Sequence, residues 1–265
     1  MRILVTAGPT REYIDPVRFI TNASSGRMGY AVAAAAARRG HRVTLLSGPV
    51  AIEAPRGCRV VPFVSVDDLV SAMREHFPRA DAVVMSAAVG DFRPARASRR
   101  KLRRGGGPIT LRLVPTPDVL AAAARRRRPG QVVFAFAVEK GPRRRIESQA
   151  LREMARKNAD YVLLNTPAAM GGKSSAACIL CRRGVLLPWR PRTKAALAGT
   201  IVRVLELAAR PGFSTGAESP ASPITIGITR RQGCRGAPLP PCWSAHARGT
   251  RRPPFAAYRL RFTDY

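Results

Sequence analysis

A doubly wound α/β fold is what this sequence predicts: a largely parallel, Rossmann-like sheet with helices on both faces and a C-terminal hairpin. Three observations carry that expectation. Short aliphatic runs that read as strands alternate with helical stretches along most of the chain, and strand–helix–strand units of that length close as right-handed crossovers in a parallel sheet. Ala82-Val83-Val84-Met85 is apolar throughout, the signature of a strand covered on both faces. Stop and cap signals also sit where the alternation needs them, as at Gly40 and at Ser65-Val66-Asp67-Asp68.

The elements follow in order. A strand over 2–6 leads through Ala7-Gly8-Pro9-Thr10 to an Ala-rich helix over 26–39, which Gly40 stops. A strand over 42–46 ends in Ser47-Gly48-Pro49, and a strand over 59–64 runs into a helix over 66–76. Next comes the strand 82–85, running into Ser86-Ala87-Ala88-Val89-Gly90-Asp91. Beyond a basic loop, Ile109-Thr110-Leu111-Arg112-Leu113 alternates like a half-exposed strand. A helix over 117–126, a strand over 131–137, a helix over 144–157 and a strand over 161–164 continue the series. A hairpin over 177–187 turning at Arg183-Gly184, then a helix over 194–209, close it. The domain therefore spans 1–210. From Pro211 prolines and arginines dominate and no helical period survives, so 211–265 reads as a basic, mostly disordered tail.

Composition narrows the function. The 265 residues suffice for one large domain with a buried core. The apolar runs are short and interrupted, so no membrane span is expected. A strand at the very start leaves no room for a signal peptide, and the expected setting is a reducing cytoplasm. Five cysteines form no framework, and Cys178-Ile-Leu-Cys181 lies in a strand-like run without a second pair, which favours packing over zinc or redox work. His41, His76 and His246 suit neither a catalytic dyad nor a metal site. A net charge of +30 invites nucleic acid. Yet only Lys101, Lys140, Lys157, Lys173 and Lys194 among the 46 basic residues are lysines, and the basic stretch 96–128 holds no aromatic for base stacking. Small polyanions are the better match.

Ligands of an open parallel sheet bind beyond the carboxyl ends of its strands. The polar signal concentrates there. Asn22-Ala23-Ser24-Ser25-Gly26, at a helix start, offers more polar groups than one cap requires and suits a phosphate or carboxylate; Gly8 and Thr10 belong to the neighbouring turn. The small residues of Met85-Ser86-Ala87 let a planar base lie against the backbone, with Asp91 beyond them. Lys101 precedes Gly105-Gly106-Gly107, a cation beside a glycine run that reads as a mobile lid over phosphates. No G-x-G-x-x-G follows the first strand, and Ser47 stands where a ribose-binding acid would cap the second. This counts against the rival reading, an NAD(P)-dependent reductase. Without a hydrolytic triad, chemistry must rest on positioning and charge neutralisation, as in nucleotidyl transfer.

These motifs resemble those of phosphopantothenate–cysteine ligases, the synthetase half of the DNA/pantothenate metabolism flavoproteins. The resemblance lies in Ala7–Glu12, Asp15–Ile20, Asn22–Gly29, Ser86–Pro94 and Thr116-Pro117-Asp118, and covers about residues 1–205. It implies a ligase of coenzyme A biosynthesis, acting on 4′-phosphopantothenate, cysteine and a nucleoside triphosphate (CTP or ATP) with Mg²⁺ through an acyl-nucleotide. By the same resemblance Asn22 and Lys101 are catalytic. Met85, Ser86, Ala87, Asp91, Lys101, Phe136, Ala137, Val138, Glu139 and Lys157 hold the nucleotide, and Gly8, Thr10, Ser24, Ser25 and Gly26 line the phosphate and substrate side. It further implies a homodimer, with the strands at 109–113 and 177–187 as contact edges. No FMN is expected, and decarboxylation falls to a separate flavin chain. Departures are Arg103 and Arg104 for lid lysines, Glu153 for a lysine, and Thr166 for an acid after Asn165.

Overall fold

The computed structural model of the chain describes residues 1–105, 107–169, 172 and 174–210. The expected tail from Pro211 lies outside them. Twelve strands and five helices appear among these residues: β1 (Arg2–Ala7), β2 (Arg11–Tyr13), β3 (Phe19–Thr21), α1 (Arg27–Arg38), β4 (Arg42–Ser47), β5 (Cys58–Pro62), α2 (Val66–His76), β6 (Ala82–Met85), β7 (Phe92–Pro94), β8 (Leu113–Pro115), α3 (Val119–Ala124), β9 (Val132–Val138), α4 (Arg143–Arg156), β10 (Tyr161–Asn165), β11 (Ser174–Cys181), β12 (Gly184–Thr193) and α5 (Lys194–Ala208).

Eight strands make one sheet in the order β12-β11-β10-β9-β6-β1-β4-β5. The six from β10 to β5 are parallel, and β11 and β12 join antiparallel as the C-terminal hairpin. From β1 the chain winds outward to β4 and β5, then crosses back to β6 on the other side of β1. The order therefore reverses between β1 and β6, where Ile3 pairs with Ala82 and Thr6 with Met85. Buried residues alternate between two layers along the central strands. Ile3, Val5 and Ala7 pack with α1 and α5, against Tyr30, Val32, Leu197 and Ile201. Leu4 and Val83 face the other layer, with Leu69, Met73, Leu120, Ile146 and Met154 of α2, α3 and α4. Helices thus cover both faces, as the apolar strand runs require.

Local signals explain the boundaries. The Ser65 hydroxyl accepts the Asp68 N–H while the Asp68 carboxylate accepts the Ser65 N–H, a capping box that starts α2 and stabilises it by about 1 kcal/mol. Asp118 and Thr193 cap α3 and α5 more simply, their side chains accepting the Ala121 and Ala196 N–H groups. Cys178 is buried among the α2–α4 layer and Cys181 sits against the opposite layer, so this C-x-x-C spacing splits across the sheet. Burial pushes the Cys178 thiol up to about 12, which makes it a packing residue.

Two regions differ from the sequence expectation. Only Leu113 of the 109–113 run is in a strand: β8 pairs with β7 in a separate two-stranded ribbon. Residues 109–113 are all exposed, so their alternation meets no layer to bury one face. The small β2–β3 hairpin lies where the sequence pattern shows no strand alternation. It is tied by Arg11 over the Phe19 ring at 4.5 Å and by an edge contact of Tyr13 with Phe19. Its turn holds a knot in which the buried Asp15 carboxylate accepts the Val17, Arg18 and Leu102 N–H groups and the Arg18 guanidinium. Arg18 holds the Asp15 carboxyl far below the usual carboxylate range. No helix among the described residues is long and apolar enough to cross a membrane.

Candidate functional site

The ends of β1 and β6 are laced together at the point where the sheet order reverses. The Ala88 N–H donates to the Gly8 carbonyl at 2.9 Å and the Thr10 N–H to the Ala88 carbonyl at 3.2 Å, prolonging the pairing past both strands as a parallel bridge at Pro9 and Ala88. Thr10 is fully buried, and its hydroxyl accepts the Gly90 N–H at 2.9 Å. The Ser86 hydroxyl donates to the Thr6 carbonyl at 2.7 Å, and the Ala87 N–H donates to the Thr6 hydroxyl at 3.0 Å. The loop after β6 is thus a rigid shelf.

Helix α1 starts against that shelf. Its N-cap is Gly26, with φ 72° and no side-chain cap, a conformation that a Cβ would strain. Gly29, in the first turn, comes so close to the shelf that a Cβ there would lie 2.5 Å from both the Ala7 Cβ and the Ser86 Oγ. Asn22 is not the helix cap: its side-chain amide donates to the Ala88 carbonyl at 2.9 Å. It ties the loop before α1 to the shelf. With no side chain closing its first turn, α1 leaves N–H donors and the positive end of its dipole toward this space.

An open cavity of about 740 Å³ lies over these strand ends. Of the residues singled out in the sequence, Asn22, Ser24, Ser25, Gly26, Met85, Ser86, Ala87, Asp91, Phe136, Ala137, Val138, Glu139 and Lys157 line it. Gly8, Thr10 and Lys101 do not. The Gly8 carbonyl and the Thr10 hydroxyl serve the β1–β6 lacing beneath the cavity, and Lys101 is exposed in a loop whose next residue, Leu102, is held by Asp15 and Arg18. Four further charged residues stand in the wall without a site role assigned from sequence: Arg27 and Asp118, which lie inside the Asn22–Gly29 and Thr116-Pro117-Asp118 motifs at the starts of α1 and α3, Lys194 at the first turn of α5, and Arg156 near the end of α4. Lys194 and Arg156 carry no motif of their own, and only the sheet order brings the four together.

The cations of α4 are balanced within the wall. The Arg156 guanidinium lies 2.9 Å from the Asp118 carboxylate and 2.7 Å from that of Glu153, and Lys157 Nζ is 3.4 Å from Asp118. The Arg156 bond holds the Glu153 carboxyl below its usual range. Burial pushes Asp118 up, but the Ala121 N–H, Lys157 and Arg156 outweigh it and leave that carboxyl lowered. At the end of β10, the Asn165 Oδ1 faces a different situation: it is buried and has no hydrogen-bond partner among the described residues. Such an acceptor loses about 1–3 kcal/mol of solvation unless a donor arrives.

A cavity at this place, walled by an open helix start, a small-residue shelf and paired charges, suits a phosphorylated ligand with a planar group. Residues 1–207 match the family described as DNA/pantothenate metabolism flavoprotein, C-terminal domain. The chain belongs to that family. Among its relatives, the coenzyme A biosynthesis bifunctional protein CoaBC of Mycobacterium tuberculosis (strain H37Rv) is 45% identical over 172 residues, 62% of this chain and 41% of the relative. The protein of the same name from Bacillus subtilis (strain 168) is 40% identical over 170 residues, 64% of this chain and again 41% of the relative. The chain thus spans less than half the length of these two relatives. A crystal structure of the C-terminal domain of coenzyme A biosynthesis bifunctional protein CoaBC is 34% identical, with TM-score 0.64, covering 77% of this chain and 95% of that one.

Proposed function

We propose that this chain is a phosphopantothenate–cysteine ligase of coenzyme A biosynthesis, using CTP or ATP with Mg²⁺ through an acyl-nucleotide. The observation that carries the reading is the cavity at the sheet's reversal point, where Asn22–Gly29, Met85–Ala87 and Phe136–Glu139 form one wall. Membership of the family and the 34% identical domain structure support it.

On this reading a carboxylate oxygen of 4′-phosphopantothenate attacks the α-phosphorus, and the bond to the bridging oxygen breaks to release pyrophosphate. The cysteine amine then attacks the acyl carbon, loses a proton and expels the nucleoside monophosphate. The helix N–H groups of α1 and the hydroxyls of Ser24 and Ser25 bind phosphate oxygens and stabilise the charge that develops on them. Asn22, its amide held on Ala88, offers its side-chain oxygen to the incoming amine. The Met85–Ala87 shelf and Phe136–Glu139 flank the base, whose exocyclic amine gives the buried Asn165 Oδ1 the donor it lacks. Mg²⁺ would neutralise phosphate charge. Among the described residues no three His, Cys, Asp or Glu side chains gather to hold a metal, so the ion fits as the nucleotide's companion, with Asp91 as the wall carboxylate suited to it. Lys101 reaches the phosphates only if its loop closes.

The setting of this reading is cytoplasmic, the product passing on to a flavin decarboxylase. The chain would act as a homodimer through exposed apolar residues of the β7–β8 ribbon and its loop, including Phe92, Ile109 and Leu111, or through the edge strand β12. The test mixes the full chain with phosphopantothenate, cysteine, Mg²⁺ and each nucleoside triphosphate and follows pyrophosphate. Release that requires both phosphopantothenate and a triphosphate is expected. NADPH binding without triphosphate binding would replace the ligase by a reductase.

A further inference from the structure

We propose that Arg27 and Lys194 form a two-cation seat for a phosphoryl group in this cavity, with Lys194 as a substrate-binding residue. The inference rests on the ligase reading for the identity of the phosphate it holds. The two residues are 167 positions apart and meet only because α1 and α5 pack side by side on one face of the sheet. Each is the first residue of its helix, and both line the cavity. Two helix dipoles therefore turn positive ends toward one space, and two side-chain cations stand there with them.

Lys194 is the informative member. It is half-buried, and among the described residues it makes neither an ion pair nor a side-chain hydrogen bond. Of the acids of the wall, Asp118 and Glu153 face Arg156 and Lys157, Glu139 accepts from Gln149, and Asp91 makes no ion pair with Lys194 among the described residues. Burial lowers the pKa of the Lys194 ammonium, and the Arg27 charge lowers it further. Like charges in a partly desolvated place cost folding energy unless an anion joins them. A phosphoryl group, with several acceptor oxygens and up to two negative charges, accepts from the Lys194 ammonium and offsets the neighbouring Arg27 charge without displacing the contact Arg27 already makes. Two sources share this chemistry: the triphosphate of the nucleotide and the phosphomonoester of the acid substrate.

Titration calorimetry on the full chain and on Lys194→Gln separates them, with Mg²⁺–CTP, Mg²⁺–ATP, 4′-phosphopantothenate and pyrophosphate as four separate probes. One substrate class is expected to bind about tenfold to a hundredfold more weakly to the variant, the scale of losing a charged hydrogen bond. The other should stay within about twofold, and Lys194→Arg should restore most of the loss by keeping the charge. Thermal melting adds a readout that a structural role would move the other way. In anion-free buffer Lys194→Gln should melt at or above the wild-type temperature, because a repulsive contact has gone, while its upward shift with ligand shrinks. Wild-type affinity for every probe in Lys194→Gln overturns the seat, as does a lowered melting temperature without anions. Should the wild type bind neither substrate, the ligase reading fails; pyrophosphate then decides the seat alone, which stands if the variant loses pyrophosphate binding and falls if the wild type has none.

Discussion

The cavity carries cations on two sides, and the two sides are built in opposite ways. At the starts of α1 and α5, Lys194 stands beside Arg27 with no carboxylate paired to it among the described residues. At the end of α4, Arg156 and Lys157 share the carboxylates of Asp118 and Glu153. Counting positive residues would rank the two alike. Their partners separate them: the α4 cations share carboxylates inside the wall, whereas Lys194 on the α1–α5 side has no carboxylate partner among the described residues. Net charge therefore says little about where an anion binds, and local charge balance says much.

The largest test of the contrast acts on the loop that presents α1. Asn22→Asp removes the amide donor from the Ala88 carbonyl and sets a carboxylate beside the phosphate side. Turnover should fall about a hundredfold with the acyl-nucleotide accumulating, a loss typical of disturbing preorganised groups around developing charge. Rapid-quench detection of the intermediate checks it, and wild-type turnover in a folded variant would remove Asn22 from the chemistry.

Next in size is the position of α1 itself. A methyl at Gly29 would meet Ala7 and Ser86 at 2.5 Å, so Gly29→Ala should force α1 off the shelf and cost about 1–3 kcal/mol, as overpacking does. Urea denaturation measures this. Phosphate affinity should drop with it, because the seat depends on where the helix starts; loss of stability with intact affinity would show that the seat tolerates displacement.

A smaller effect is expected on the balanced side. Glu153→Gln releases Arg156 from one partner and should tighten triphosphate binding by about threefold at low salt, fading as salt screens the exposed charges. Calorimetry at two ionic strengths would settle it. Unchanged affinity would mean that Asp118 alone keeps the α4 cations engaged.

The smallest effect is on pH. Glu153 and Asp118 have lowered folded-state pKa values. Their contribution to stability is present above the unfolded carboxylate values, near about 4, and disappears as pH falls through the lowered folded values. Glu153 is nearly half exposed, so solvent screening limits its share to about 0.5 kcal/mol. Melting curves from neutral pH down to about pH 3 should show Glu153→Gln losing less stability than wild type once pH falls below about 4, and parallel profiles would sever the pair from folding.

Much of this molecule was legible from residue order. Strand and helix alternation, the capping box at Ser65–Asp68 and the small-residue runs at 22–29 and 85–91 are signals whose partners lie within a few residues, so local chemistry alone specifies them. Even so, the Asn22 amide beside the start of α1 donates to the Ala88 carbonyl, a partner 66 residues away that no local pattern announces. The sequence by itself determined the α/β class, most element boundaries and the polar loops at strand ends. Tertiary structure alone decided which strand ends would be neighbours, that Thr10 would be buried in lacing rather than lining the cavity, and that Lys194 would come to rest beside Arg27. The physical reason is range: hydrogen-bonded turns and caps close over a few residues, whereas strand order and charge pairing follow from how whole helix faces pack on the sheet.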